Sequence, residues 1–90
     1  MNFYVYIIQS ECDGSFYKGF TENPNQRIEQ HNLGECTYTS RKIPWKLVAL
    51  LQFETKREAL IKEKKLKKYS NESLRALIQS DQNKLNDGVG

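Results

Sequence analysis

The sequence predicts an α+β domain, a three-stranded, mainly antiparallel sheet with helices in the order β-β-α-β-α-α. Three observations carry this prediction. Two short apolar runs flank Asp13-Gly14, a dipeptide whose tolerance of positive φ makes it a strong hairpin signal. Two helix-start signatures, Asn23-Pro24 and Thr55-Lys56-Arg57-Glu58, open segments with helical spacing. Between those segments, residues 45–53 make a third apolar run, too short for a typical helix.

Each element has its own justification. Residues 3–9 (Phe-Tyr-Val-Tyr-Ile-Ile-Gln) are aromatic and β-branched and apolar on both faces, as a central strand covered on both sides should be. Residues 11–15 turn the chain, and Phe16-Tyr17-Lys18-Gly19-Phe20 returns as the second strand. Asn23 is the N-cap of the first helix, Pro24 its first helical residue and Gln26 its capping-box partner, and Gly34 stops it. Residues 35–44 form a polar loop closed by Pro44, after which Trp45 begins the third strand. The capping box of Thr55 and Glu58 opens a second helix that should run through about Tyr69, and Ser70 caps a final helix of about ten residues. The polar segment 82–90, ending Asp-Gly-Val-Gly, is expected to fray, leaving residues 1–81 as a single domain.

Composition narrows the function classes. Apolar residues at 38% and aromatics at 11% describe a globular chain rather than a disordered one. No apolar run approaches the ~20 residues of a membrane span, and no basic stretch precedes the first apolar run, so a cytoplasmic location without membrane contact is expected. The net charge of +3 conceals a strong division. Residues 1–40 carry two cations against five carboxylates, whereas residues 41–75 carry eleven Lys or Arg against four Glu. A local excess of seven positive charges points to a polyanionic partner, nucleic acid ahead of membrane, although a solvated helix face would read the same. Cys12 and Cys36, 24 positions apart without a CxxC, do not form a zinc site and read as free thiols.

Several residues break the local rules. On the second helix Ala59, Leu60 and Leu66 mark the apolar stripe, and Glu63 falls inside it, about 40° from Ala59 at ~100° per residue. A carboxylate on that face needs an ionic partner or a hard cation, and its position alone leaves both open. Arg27 and His31 stand one helical turn apart; a solvated surface pair is the commoner meaning of that spacing, and a phosphate clamp beside a proton carrier is the other. Tyr6 and Tyr17 share a sheet face in any register whose paired numbers sum to an odd value. Core packing is the ordinary role of such tyrosines, yet buried hydroxyls need partners where Phe would not. Gly19, beside Tyr17, lets a backbone or ligand approach the strand closely.

Together, Tyr4-Val5-Tyr6, Tyr17-Lys18-Gly19 about ten residues on, Arg27, His31 and the later Glu63 resemble the GIY-YIG nuclease superfamily. The likeness is greatest to its small stand-alone bacterial branch, related to the N-terminal domain of the excision-repair incision subunit. The phrases Tyr17-Lys18-Gly19-Phe20-Thr21, Arg27-Ile28-Glu29-Gln30-His31-Asn32, Tyr38-Thr39, Pro44-Trp45-Lys46-Leu47-Val48 and Glu58-Ala59-Leu60 support that branch, over residues 3–78. The glycine and isoleucine of the first motif are Tyr4 and Val5 here, and the isoleucine of the second is Lys18; Asn71 follows Glu63 too soon to be matched to the family's late asparagine.

The resemblance implies metal-dependent hydrolysis of DNA phosphodiesters, weakly specific or guided by DNA structure, in DNA repair or related processing. It implies that Glu63 holds Mg²⁺ or Mn²⁺, that Arg27 clamps the scissile phosphate, that Tyr6 and Tyr17 orient and deprotonate water, and that His31 assists proton transfer. Lys18, Arg41, Lys42, Lys62 and Lys65 are the candidate contacts to the nucleic-acid backbone. RNA is left open as a substrate, as is a protein partner that supplies targeting. The alternative is a nucleic-acid-binding module on the same fold with little or no catalysis of its own.

Overall fold

The computed structural model describes residues 2–86. Its elements are β1 (Phe3–Ser10), β2 (Phe16–Thr21), α1 (Pro24–Asn32), β3 (Trp45–Phe53), α2 (Lys56–Leu66) and α3 (Asn71–Ile78), with short 3₁₀ turns at Ser40–Lys42 and Lys84–Asn86. The sheet order is β2-β1-β3 and both pairings are antiparallel, so the strand that is apolar on both faces is the central one. Its two faces feed two cores. Val5 and Ile7 pack with Ala49, Leu51, Ala59, Leu66, Leu74 and Leu77, burying the inner faces of α2 and α3. Tyr6 and Ile8 pack with Trp45 and, at the margin, Tyr17, Ile28, Ile43, Leu47 and Leu50, under α1.

The caps follow from local chemistry. The Asn23 side chain accepts from the Gln26 N–H, that of Thr55 from Glu58 and that of Ser70 from Ser73, each satisfying a donor that a helix N-terminus leaves open. Gly14 and Gly34 supply the positive φ that the hairpin turn and the end of α1 require. The last two helices are shorter than the sequence pattern predicts. α2 ends at Leu66 because Ser70 must be extended to cap α3, and the intervening turn closes through the tighter bonds Lys68 N to Lys65 O and Tyr69 N to Leu66 O. α3 runs eight residues rather than about ten.

The expected fraying from Gln82 onward is corrected over residues 82–86. β3 is an edge strand, and its register against β1 slips between Ile7 and Ile8, leaving Val48 as the extra residue of a bulge. Asn83, 1% exposed, fills the polar gap there: its amide donates to the Val48 and Ile78 carbonyls and accepts the Leu50 N–H. A polar tail thus becomes structure because an irregular edge strand offers it backbone groups to satisfy. The rest of the tail, residues 87–90, lies outside the described residues. Among the described residues no helix is long and apolar enough to cross a membrane.

Candidate active site

The register places the tyrosines. Tyr6 pairs with Gly19 and Ile8 with Tyr17, so Tyr6 and Tyr17 share the face that α1 covers, and their ring centroids lie 6.4 Å apart. Gly19 has a different use from the one the sequence suggests. The group that approaches it is neither backbone nor ligand but the Tyr6 ring: a β-carbon here would sit 2.9 Å from Cε1 and closer still to Cζ and Oη.

Above this face, the capped helix α1 presents Arg27 and His31. Their spacing alone favours a solvated pair, but His31 is fully buried and Arg27 partly so. The reason is Tyr6, a residue 1% exposed, whose hydroxyl has to be satisfied from within. Its oxygen lies 2.9 Å from His31 Nε2 and accepts from Arg27 Nε at 3.3 Å. Arg27 also donates from Nη1 to Gln30 Oε1 at 2.9 Å, so two of its nitrogens are anchored and the plane of its fork is set.

The loop between α1 and β3 closes the other side. Thr39, fully buried, places its hydroxyl 2.7 Å from His31 Nδ1, and its carbonyl accepts from the Trp45 indole at 2.9 Å. Asn32 clips α1 to the start of β3 by accepting the Trp45 N–H and donating to the Trp45 carbonyl. Tyr38 is 81% exposed and contributes nothing to the core, yet its ring rests 5.6 Å from that of Tyr17. Tyr17 also meets the edges of His31 and Trp45.

Electrostatics follow from burial and from one cation. Burial pushes the Tyr6 phenol above its ordinary value, opposed by its hydrogen bond from Arg27. Tyr17 is raised for the same first reason, with Arg27 lowering it and the Glu63 carboxylate raising it. His31 is held down at about 4 by burial and then by Arg27, so the imidazole is neutral at neutral pH. Arg27 is raised, first through its bond to Tyr6. Burial works against ionisation of Cys36, but hydrogen bonds from Thr39 and Tyr38 outweigh it and the thiol is lowered.

Glu63 approaches from the opposite core. Only Ala59 and Leu66 of α2 are buried, and Leu60 is exposed, so the apolar stripe is narrower than predicted and Glu63 lies at its edge. The Glu63 side chain is 21% exposed, and Lys67, one turn on, stands 3.9 Å away. Lys67 joins Tyr17, Lys18 and Tyr38 in lining a cleft of about 390 Å³. Glu63 is tied to this cleft through Lys67 and through its charge on Tyr17, and among the described residues no group of three or more His, Cys, Asp and Glu is placed to hold an ion. A carboxylate oxygen is the donor type that a hard cation such as Mg²⁺ takes, so Glu63 is the residue here that would hold one.

The other predicted contacts scatter. Of Lys18, Arg41, Lys42, Lys62 and Lys65, Lys18 alone lines this cleft. Lys42 is tied to Asp13 at 3.2 Å and to Ser15 at the hairpin turn. Arg41 is exposed on the 3₁₀ turn. Lys62 lies over the Tyr69 ring, and Lys62 and Lys65 line a depression with Phe53, Glu58 and Ile61 on the other flank of α2. The sequence takes in Lys67 only as part of the Lys-rich stretch 62–68 and Tyr38-Thr39 only as a phrase of the resemblance, and singles out none of the three as a site residue. The i,i+4 spacing from Glu63 could have found the first, whereas nothing periodic marks the other two in a polar loop.

Residues 2–76 match the family model for the GIY-YIG catalytic domain. The UPF0213 proteins of Staphylococcus aureus strains Mu3 and N315 are each 39% identical over 77 residues, covering 84% of this chain and 93% of theirs. A UPF0213 protein of Bacillus halodurans, solved by solution NMR, aligns over 91% of this chain and 87% of its own, with 36% identity and a TM-score of 0.59. On a family model that spans most of the chain and on relatives of this identity and coverage, the chain belongs to the GIY-YIG family.

Proposed function

We propose that this chain is a metal-dependent endonuclease that hydrolyses DNA phosphodiesters, with weak or structure-guided specificity. The observation that carries the reading is the joining of Tyr6 to both Arg27 and His31, directly beside Tyr17 at a cationic cleft. A structural core would gain nothing from burying an arginine and a histidine around a phenol that Phe could replace.

Each residue has a task set by its surroundings. Tyr17 lines the cleft, whereas Tyr6 is buried behind it, so Tyr17 is the phenol that meets the attacking water; it takes the proton as its phenolate, a form that burial opposes and that Arg27, Lys18 and a bound cation would favour. Arg27, fixed at two nitrogens, offers its charge to the phosphoryl oxygens on which negative charge builds. Neutral His31 acts as the hydrogen-bond partner that orients Tyr6, and through Tyr6 it orients Arg27. Glu63 would hold Mg²⁺ or Mn²⁺, which when bound supplies Lewis-acid neutralisation of the phosphate and lowers the pKa of water. Lys18 and Lys67 attract the flanking phosphates, and the exposed face of Tyr38 suits stacking by a neighbouring base.

The test is cleavage of labelled single-stranded, duplex and branched DNA with Mg²⁺, Mn²⁺ or EDTA, beside Glu63→Gln. Products that require metal and vanish in the variant support the proposal. Binding without cleavage in every metal overturns it in favour of a nucleic-acid-binding module, in which Glu63 serves only as the ionic partner of Lys67.

A further inference from the structure

His31 is the only histidine in the chain, and both of its ring nitrogens are engaged out of contact with solvent. A neutral imidazole has one N–H and one lone pair, so the choice of tautomer decides which way every hydrogen in the network points. Tyr6 fixes that choice. Its oxygen already accepts from Arg27 Nε, and an arginine has no lone pair to give back. Its own hydroxyl hydrogen therefore needs an acceptor, and among the described residues His31 Nε2 is the group within reach that can accept it. Were Nε2 protonated instead, the Tyr6 oxygen would face two donors and its hydrogen would be stranded in a buried site.

Nε2 is then the lone-pair nitrogen, and the proton sits on Nδ1, which in turn needs a buried acceptor. Thr39 Oγ1 is that acceptor, at 2.7 Å. Its own hydroxyl hydrogen has an outlet on Cys36, to the carbonyl at 3.4 Å or to the thiol it also meets, so its lone pair is free to receive the imidazole N–H. One hydrogen per link runs from Tyr6 to His31 to Thr39 to Cys36. The threonine cannot drift, because its carbonyl is held by the Trp45 indole.

We infer that Thr39 is a positioning residue, whose hydroxyl holds His31 as the Nδ1–H tautomer and so obliges Tyr6 to donate to Nε2 while keeping a lone pair for Arg27. The consequence for catalysis rests on the endonuclease reading above; the tautomer does not. Without the hydroxyl, Nδ1–H has no buried acceptor, the ring shifts toward Nε2–H, and Tyr6 no longer presents a fixed lone pair to the arginine that meets the phosphate.

A single histidine makes the test direct. Long-range ¹H–¹⁵N correlation spectra of the whole labelled protein near neutral pH should show His31 as the Nδ1–H tautomer. In Thr39→Val, which keeps the shape and removes the hydroxyl, the Nε2–H form should appear, and Thr39→Ser should restore the wild-type pattern. If the wild type cleaves DNA, Thr39→Val should lower kcat about 10–100-fold with KM unchanged, and Thr39→Ser should recover most of it. A wild-type Nε2–H spectrum, or a Thr39→Val spectrum with His31 unaltered, overturns the inference. If Thr39→Val does not fold, Thr39→Ala supplies the hydroxyl-free spectrum, and an unaltered His31 there overturns the inference equally. Absence of cleavage in the wild type would remove the endonuclease proposal and leave the tautomer assignment standing.

Discussion

The ring of Tyr6 occupies the space that a side chain on Gly19 would fill, across the β1–β2 pair. The second glycine-bearing motif thus exists to seat the tyrosine of the first. Gly19→Ala should force the ring aside, with a loss of about 1–3 kcal/mol from overpacking and a drop in activity. Urea unfolding checks this, and Tyr6→Ala supplies the control: in that background Gly19→Ala should cost much less. Equal costs in both backgrounds would mean that the ring is not what excludes the β-carbon.

Acid should weaken the fold through His31. An unfolded histidine binds its proton below ~6.5, whereas burial and Arg27 delay protonation of the folded one to about 4. Between those values the unfolded state holds more protons, so stability declines as pH falls through the window and levels off below it. Above it the contribution is complete. Tyr6, Tyr17 and Arg27, which face the imidazole, are all raised and titrate far above this range. The slope from this one group is at most ~1.4 kcal/mol per pH unit. Urea midpoints measured from neutral pH into the acid range should show it in the wild type, and His31→Gln should lose that component.

Asn83 should matter to stability and not to chemistry. Asn83→Ala strands the Leu50 N–H and the Val48 carbonyl at the bulge of β3, a loss of about 2–3 kcal/mol. The measurement is the urea midpoint set beside the cleavage rate per folded molecule; the first should fall and the second should hold.

Nucleic-acid affinity should separate the two flanks of α2. Lys18 and Lys67 line the cleft beside Tyr17, whereas Lys62 and Lys65 line a depression on the other flank. Lys18→Ala and Lys67→Ala should each weaken DNA binding and reduce the slope of log K against log salt by about 0.7–0.9. Lys62→Ala and Lys65→Ala should change that slope much less.

Most of the fold was legible because strands and caps are local: the two-sided apolar run of β1, the Asp13-Gly14 turn and the three side-chain caps act within a few residues of themselves. What escaped depends on contacts between distant segments. The burial of His31 follows from a phenol 25 residues away, which no helical spacing encodes. The ordering of Asn83 follows from a bulge in a strand more than thirty residues earlier. Lys42 had the right charge for a phosphate contact, but the hairpin turn places Asp13 beside it. Residue types suggested Tyr6, Tyr17, Arg27 and Glu63 as candidates; the roles of Thr39 and Tyr38 became visible only once the loop was seen to fold over them.

The central claim is that the phenol facing the cleft, Tyr17, deprotonates the attacking water at a phosphodiester. Single-turnover cleavage of labelled DNA by the wild type and Tyr17→Phe, each at saturating Mn²⁺ and with equal DNA binding verified, tests it most directly. A rate lower by at least ~100-fold in the variant is the predicted result, the usual contribution of a positioned general base. Equal rates, or a wild type that binds DNA and never cuts it, would contradict the account.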